Sequence, residues 1–390
     1  MEQYIHKNKT ILYVNFSPYE NSGNILDYIT DTFSTVLLFS FNFHRLHKER
    51  ESSSLTIYKH KKILKEYSLF QIPTPQSLLF IFLPLRSIVL LCQLIFYASI
   101  LKKTYGPFHI FFTVNAFTAW CGNILKKIGL VQKTVFWVWD YYPPIHEDKV
   151  IMLMRTLYWI FDKAAIHSDI VAFLNIRLIN LRKKIGVLSQ SSSYPVVSIG
   201  TDLHIGKKKR MESTLTFAFL GALKKSQGLD YIFDHAIELK KRLPPCRLHV
   251  FGGGPDEGYF RNRAHSCPIP VTFFGYIPDS KKMNTLLSRC DIGLAPYIPD
   301  PGNVSYYSDP SKIKAYISNG IPVIMTNVFQ FSKEIQKSKA GIVFRYNDTK
   351  GFIKAVYAIT RSYSSYQKNA LALAKKYYYK TMYPKLFSGI

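Results

Sequence analysis

Short apolar runs alternate with longer amphipathic stretches along most of this 390-residue chain. The short runs are rich in Val, Ile, Leu and Phe, which predicts buried strands, while the stretches between them space their apolar residues as helices do. Strands alternating with helices predict a parallel sheet covered by helices. In the first half we predict strands at residues 10–16, 35–40, 109–113, 134–139, 170–174 and 195–199.

A second alternating series follows the basic stretch at residues 207–210. Its predicted strands are residues 215–221, 247–252, 271–275, 292–296, 322–326 and 341–344, and its clearest predicted helices are residues 227–242, 280–289 and 311–318. The fold class is therefore α/β, with two Rossmann-like domains in tandem. We predict an N-terminal domain at residues 1–205, a C-terminal domain at 206–362 and a terminal helix within 363–390.

Residues 78–101 form the one segment long and apolar enough to raise the question of a membrane. Pro84 and Arg86 interrupt it, and the next predicted strand follows soon afterwards. Three interpretations stay open: a helix packed on the sheet, a helix dipping into a membrane surface, or a true span.

The charge balance is strongly basic, with 51 Lys and Arg against 25 Asp and Glu, a net charge of +26. Because each half of the chain contributes equally, a basic tail that grips nucleic acid is excluded as the main source. No nucleic-acid-binding module is recognisable, so we expect no nucleic-acid partner. The charge suits phosphates or an anionic membrane surface, and the many Tyr and Phe suit a headgroup layer. A biased base composition of the gene would explain the same residues.

The five cysteines show no CxxC spacing and are odd in number. A disulfide framework or a zinc site is therefore not expected, and neither is any other metal site. The N-terminal residues lack the apolar core of a signal peptide, which predicts a cytoplasmic protein.

Candidate binding residues lie where predicted strands end, because ligands of open α/β sheets bind at the carboxyl edge. Gly23 follows the first strand and would let a ligand approach the backbone. Lys224 and Lys225 precede a helix predicted to start near Gln227, which would suit a diphosphate, although solvated loop lysines are the alternative. The three glycines at 252–254 do not match the dinucleotide motif GxGxxG and predict a tight crossover instead.

Two further loops complete this set. Tyr276 and Ile277 end a strand and offer backbone groups to a flat base. Ser308 and Asp309 are residue types that cap helices, and Lys312 lies in the first turn of the helix they precede, where a bound anion would explain it. In the first half, Asp140 follows a strand of Phe and Trp; it would orient an acceptor hydroxyl or cap the turn before Pro143.

The loops of the second half resemble, in order and spacing, the C-terminal half of the GT-B glycosyltransferases of family 4, the group 1 transferases. The segments that carry the resemblance are LGALKKSQGLDYIFDHAIEL, LHVFGGGP, VTFFGYIPDSKKMNTLLSRCDIGLAPY and PSKIKAYISNGIPVI. The first half is similar more loosely, through VWDYYPP and VVSIGTDL. The resemblance implies two Rossmann-like domains facing a central cleft, with a C-terminal helix that crosses back to the first domain.

The resemblance also implies an activity: a metal-independent, retaining hexosyl or related transfer from a UDP- or GDP-linked sugar to a lipid-linked or polysaccharide acceptor. It implies no other cofactor, and a peripheral location on the inner face of the plasma membrane. Mapped onto this chain, the residues that would hold the donor are Gly23, Lys224, Lys225, Gln227, Gly228, Tyr276, Ile277, Tyr307, Ser308 and Lys312. Asp140 would lie near the reacting centre.

This chain departs from the family pattern at four positions. Ala222 and Gln227 stand where the family often has Arg and Lys, and Tyr307 and Ala315 stand where it has paired glutamates. Neither replacement offers a carboxylate to the donor sugar or ribose. A second hypothesis is therefore a catalytically impaired GT-B scaffold or regulatory partner of another transferase. A third is a GT-B sugar-nucleotide epimerase that needs no acceptor.

Overall fold

The structure is a computed structural model that describes residues 8–42, 53–75, 78–142, 148–204, 213–300 and 304–390. The chain forms two compact units. Unit 1 comprises Met1–Ser198 together with Tyr383–Ile390, and unit 2 comprises Ile199–Met382. The domain boundary predicted after residue 205 lies outside the described residues.

Unit 1 is a seven-stranded sheet covered by helices. Its strands are β1 (Thr10–Asn15), β2 (Thr35–Ser40), β3 (Ser54–Lys59), β4 (Lys62–Ser68), β5 (Phe108–Thr113), β6 (Val131–Val138) and β7 (Ile170–Phe173). Its helices are α1 (Ile25–Thr32), α2 (Leu83–Tyr105), α3 (Ala116–Lys127), α4 (Lys149–Ala165) and α5 (Ile176–Lys184), and a 3-10 turn covers Pro18–Asn24. The strand order is β4-β3-β2-β1-β5-β6-β7.

Five strands of unit 1 are parallel, as the alternating pattern predicts, but one edge of its sheet differs. Strands β3 and β4 form an antiparallel hairpin beside β2. Sequence analysis missed this hairpin because β4 is almost wholly exposed and lacks the apolar run of a buried strand. The strand predicted at 195–199 is reduced to a single bridge between Phe173 and Val196.

The two faces of the unit 1 sheet bury different partners. Leu12 and Val14 of β1 belong to the core that α2 and α3 cover, whereas Tyr13, between them, contacts the ring of Phe112 on the opposite face. The C-terminal residues pack near this second face: Phe387 contacts the rings of Tyr28, Phe33 and Phe112. Unit 1 is therefore built from both ends of the chain.

Unit 2 is a six-stranded, wholly parallel sheet with the order β10-β9-β8-β11-β12-β13. Its strands are β8 (Leu215–Leu220), β9 (Cys246–Phe251), β10 (Val271–Gly275), β11 (Ile292–Ala295), β12 (Val323–Met325) and β13 (Gly341–Val343). Its helices are α6 (Asp230–Asp234), α7 (Ala236–Arg242), α8 (Glu257–His265), α9 (Ser280–Leu287), α10 (Ser311–Ser318), α11 (Ser332–Ser338), α12 (Thr349–Arg361), α13 (Tyr363–Lys376) and α14 (Tyr379–Met382).

The single helix predicted at residues 227–242 is wrong in its first part. Lys225–Gln227 is a 3-10 turn, Gly228 adopts a φ of 75°, and α6 begins only at Asp230. A residue with positive φ ends a right-handed helix, so the helix cannot start at Gln227. Lys224, which precedes this turn, and Lys225, which begins it, therefore do not stand at a long helix N-terminus.

Candidate functional site

Three loops of unit 2 come together at the carboxyl edge of its sheet. They follow β8, β9 and β11, which are neighbours in the sheet, so their ends lie side by side. The backbone N–H of Leu223 donates to the carbonyl of Gly253 at 3.0 Å, which joins the first two loops. The N–H of Ile298 donates to the carbonyl of Ser226 at 3.4 Å, which joins the first and third.

Glycines make this close approach possible. A Cβ on Gly228 would lie 1.7 Å from the carbonyl oxygen of Pro296, and one on Gly252 would lie 2.0 Å from that of Gly221. Both residues also have positive φ, where other residues are strained. Gly228, predicted to bind the donor, thus has a packing role, and the predicted crossover at 252–254 packs on the β8 loop.

Lys312 points from the first turn of α10 towards the β8 loop. Its Nζ donates to Oε1 of Gln227 at 3.4 Å and lies 3.3 Å from where a Cβ on Gly221 would stand. Loss of solvation, reinforced by the nearby charge of Lys224, lowers the pKa of Lys312 to about 8. Within the described ranges neither Lys312 nor Lys224 makes an ion pair with an acidic side chain, so the charge on the partly buried Lys312 is unfavourable until an anion binds.

Lys225 lies differently from its neighbour. Its Nζ stands 4.4 Å above the ring of Tyr259, and its backbone N–H donates to Asp256 at 2.9 Å. The sequence could not separate the two adjacent lysines, and the structure groups Lys224, not Lys225, with Lys312.

Asp309 does not cap α10, contrary to the prediction. Pro310 occupies the cap position and no side chain caps the helix. The Asp309 carboxylate instead accepts from Nζ of buried Lys314 and from the N–H of Ile199, both at 2.6 Å. Lys314 also donates to the carbonyl of Ile199 at 2.6 Å, so this ion pair ties the start of unit 2 to α10.

The remaining predicted residues of unit 2 lie after β10 and before α10. Tyr276 is 56% exposed after β10, whereas Ile277 packs against the core below α10. Tyr307 and Ser308 are half-buried, between the 3-10 turn Val304–Tyr306 and α10. Tyr307 contacts the ring of Tyr306.

In unit 1, Asp140 lies just beyond β6, as predicted. Its carboxylate accepts a hydrogen bond from Tyr142 Oη at 3.3 Å, and its backbone carbonyl accepts from Arg182 at 3.1 Å. Arg182 is buried and makes a two-pronged ion pair with Asp162, at 3.0 and 2.8 Å. Although the residue is exposed, the protein around the carboxyl removes enough water to raise the pKa of Asp140. The other predicted role of Asp140 is to cap the turn before Pro143, which lies outside the described residues.

Glu20 is the residue of this site that sequence reasoning missed. It lies in the 3-10 turn after β1, where its carboxylate accepts from the N–H of Phe16 at 2.6 Å. Burial, with a further contribution from the charge of Asp140, raises the pKa of Glu20 to about 8. At neutral pH this carboxyl is therefore mostly protonated and able to donate a hydrogen bond. No motif marks a single Glu in a loop, so only the fold could reveal it.

Two unsatisfied polar atoms lie between the end of β1 and the turn that holds Glu20. Oδ1 of Asn15 and Oγ of Ser17 are buried and make no hydrogen bond within the described residues. Gly23, predicted to face the donor, has a φ of 74°, and its carbonyl accepts a hydrogen bond from Tyr383 Oη. The turn therefore carries polar groups that suit the hydroxyls of a bound ligand.

Among the described residues, no group of three or more His, Cys, Asp or Glu side chains is arranged to hold a metal ion. Positive charge at the unit 2 loops comes instead from the lysines.

Part of the chain matches a known family in sequence. Residues 214–362 match the sequence model of the glycosyl transferases group 1. No curated protein sequence matches the chain significantly.

Solved structures match nearly the whole chain. HepE of Anabaena in complex with UDP has a TM-score of 0.66 at 13% identity, covering 98% of this chain and 100% of that chain. The lipopolysaccharide outer core galactosyltransferase WaaB, in its apo form, has a TM-score of 0.58 at 16% identity, covering 97% and 98%. A trehalose-6-phosphate synthase studied for glycosyl transfer with retention has a TM-score of 0.62 at 12% identity, covering 98% of both chains. The chain therefore has the GT-B fold, and residues 214–362, within unit 2, resemble the group 1 glycosyl transferases in sequence.

Proposed function

We propose that this protein is a retaining glycosyltransferase that moves a hexosyl or related sugar from a nucleotide-diphosphate sugar to a lipid-linked or polysaccharide acceptor. The observation that carries the proposal is the position of Lys312, whose Nζ lies beside Gly221 and feels the charge of Lys224, in the unit that contains the match to the group 1 transferases. The match of HepE, whose structures hold UDP and UDP-glucose, supports a uridine nucleotide, and a GDP-linked sugar is the alternative donor.

The lysines supply the positive charge that stabilises a departing diphosphate. When the bond between the anomeric carbon and the diphosphate breaks, negative charge grows on the leaving oxygen. Lys312 and Lys224 would stabilise that charge, so no step of the proposal requires a metal. Gln227, which already accepts from Lys312, would orient its ammonium.

Unit 1 would bind the acceptor through its acidic residues. Asp140 would accept a hydrogen bond from the attacking hydroxyl, while the protonated carboxyl of Glu20 would donate one to a neighbouring sugar oxygen. In a transfer with retention, the new bond forms on the face that the diphosphate leaves, and the hydroxyl proton passes to the departing diphosphate. The trehalose-6-phosphate synthase match supports retention.

The proposal also covers the class of acceptor and the location of the protein. WaaB, a lipopolysaccharide outer core galactosyltransferase by name, supports an acceptor used in surface glycan synthesis. We place the protein in the cytoplasm, peripherally on the inner face of the plasma membrane, where a lipid-linked acceptor is available.

A test with purified protein would measure donor binding by calorimetry across UDP- and GDP-sugars, followed by product formation with membrane extract. We expect one donor to bind, and Lys312→Ala with Lys224→Ala to weaken it at least about tenfold, the effect of a lost charge-assisted contact. Lys240→Ala is the matched control, because Lys240 is exposed in the last turn of α7, at the opposite edge of the sheet. Unchanged binding in the double variant would refute the site.

One observation favours a second function, a non-catalytic GT-B partner of another transferase. Tyr307 and Ala315 cannot offer the carboxylates that family members direct at the donor. Binding of a donor without any turnover, in the presence of membrane extract, would support this alternative, and Asp140→Asn would then change nothing measurable.

A further inference from the structure

Helix α2 is apolar on two sides, and only one of them is covered by protein. Leu90, Leu94, Ala98 and Leu101 face the core of unit 1. A second row at helical spacing, Leu85, Ile88, Phe96 and Ile100, is about half exposed in each case. Helix α2 is long and apolar enough to cross a membrane, and 28% of its most apolar window is buried in the protein.

Neighbouring segments extend this uncovered row. Phe70 is 63% exposed and is fastened to α2, because its backbone N–H donates to Gln93 Oε1 at 2.7 Å and its carbonyl accepts from Gln93 Nε2 at 3.0 Å. Tyr67 of β4 contacts the ring of Tyr97 of α2, so this face of the strand borders the helix. The turn before α2 adds the exposed side chains of Phe80, Ile81 and Phe82. We name as the apolar face Phe70, Phe80, Ile81, Phe82, Leu85, Ile88, Phe96 and Ile100.

The packing of α2 argues against a span. For α2 to cross a bilayer, Leu90, Leu94 and Ala98 would have to leave the core of unit 1 and uncover its sheet. The α2 side chains would stay in an apolar medium, but the sheet residues that they cover would be exposed to water, which costs roughly 1.5–3 kcal/mol for each large apolar side chain. A helix that keeps one side on the protein can bury its other side only by lying in the plane of a surface.

The charge around the apolar face indicates what kind of surface this face binds. Residues 53–105 contain seven Lys and Arg against the single acid Glu66. Lys62 and Lys65 are exposed on β4, which borders α2, and Lys103 is exposed on α2 itself. A large uncovered apolar area with a cationic rim is the composition that inserts into an anionic headgroup layer, whereas a protein partner would need matching acidic side chains.

The topology also orients the face. Strand β4 runs parallel to β2, because each is antiparallel to β3, so α2 begins near the carboxyl edge of the sheet. Glu20 and Asp140 follow β1 and β6 at that same edge. The first turns of α2 are thus on the acceptor-binding side of unit 1.

We propose that the apolar face docks on a bilayer containing anionic lipid, with α2 lying in the membrane plane and its exposed row inserted below the headgroups. The inference deepens the proposed function, and rests on it only for the acceptor: it specifies how unit 1 would meet a lipid-linked acceptor at the membrane.

The test is sedimentation of the full chain with vesicles of neutral lipid alone or of neutral lipid with phosphatidylglycerol. We expect binding to the anionic vesicles that weakens with added salt, and a loss of at least about tenfold in Leu85→Glu/Ile88→Glu/Phe96→Glu. Ile237→Glu is the matched control, since Ile237 is 80% exposed on α7 of unit 2 and lies off the apolar face.

Three results would overturn the docking proposal: no binding of the wild type to anionic vesicles, equal binding by the triple variant, or a wild-type dimer that the triple variant converts to a monomer without any vesicle binding. Donor binding by calorimetry separates this proposal from the proposed function. Vesicle binding without any donor binding would refute the proposed function and leave the docking proposal standing. Donor binding without any vesicle binding would refute the docking proposal and leave the proposed function standing. A circular-dichroism spectrum and a melting temperature like those of the wild type would show that the triple variant folds.

Discussion

At the scale of single residues, chemistry in this protein depends on neighbours more than on residue type. Lys224 and Lys225 are adjacent in the sequence, but only the first is placed near Lys312, while the second lies over the ring of Tyr259. Glu20 behaves in the same way, because burial and the nearby charge of Asp140 keep its carboxyl protonated at neutral pH. Both effects arise from groups distant in the sequence.

The raised pKa of Glu20 predicts a pH-dependent stability. Because the folded state holds this proton up to about pH 8, against an ordinary pKa of 4.5, its stabilising effect is complete below the unfolded pKa and is lost as pH rises towards 8. The difference in unfolding free energy between wild type and Glu20→Gln should therefore fall over that window, by at most about 1.4 kcal/mol per pH unit. Urea unfolding at several pH values measures it, and a difference that stays constant would contradict the assignment.

At the scale of elements, buried ion pairs hold the loops that carry the site. Arg182 of α5 pairs with Asp162 of α4 and also donates to the carbonyl of Asp140. Two helices therefore hold the backbone of Asp140 in the loop after β6. In unit 2, Lys314 and Asp309 join α10 to the backbone of Ile199. Lys314 also faces the rings of Phe331 and Tyr377, which replace part of its lost hydration.

Removing one member of the second pair should be costly. Lys314→Met would leave the Asp309 carboxylate, whose side chain is 4% exposed, without its cation, and we expect a loss of about 3–5 kcal/mol in unfolding free energy. Adding Asp309→Asn should recover much of this loss, because a neutral amide oxygen can still accept from Ile199. Urea denaturation of the single and double variants gives the comparison, and a double variant no more stable than the single one would exclude an uncompensated charge as the cause.

At the scale of the whole molecule, unit 1 depends on residues that the chain reaches only after completing unit 2. Tyr383 donates to the carbonyl of Gly23 and contacts the rings of Tyr28 and Trp137, and Phe387 is 1% exposed among three aromatic rings. The turn that carries Glu20 is thus supported from the far end of the sequence.

Truncating this anchor should destabilise unit 1. For Phe387→Ala we expect a loss of about 3–5 kcal/mol, since a large buried side chain would leave a cavity between Phe33 and Phe112. Ser388→Ala is the control, because Ser388 is exposed and its hydroxyl donates to the nearby carbonyl of Lys385. Thermal unfolding would measure both variants, and equal melting temperatures would mean that the terminal segment does not hold unit 1 together.

The sequence by itself determined the class of fold and most strands, because a strand buried on both faces must be apolar along its length, and that requirement is local. It also marked the loops after β8, β9 and β11, whose glycines and lysines form recognisable motifs. Only the tertiary structure decided which lysine joins Lys312, that Asp309 serves an ion pair instead of a cap, and that Glu20 belongs with Asp140. It also decided that α2 leaves a second apolar row uncovered. Desolvation, charge pairing and the exposure of a helix face depend on which distant residues pack together, and no local pattern contains that information.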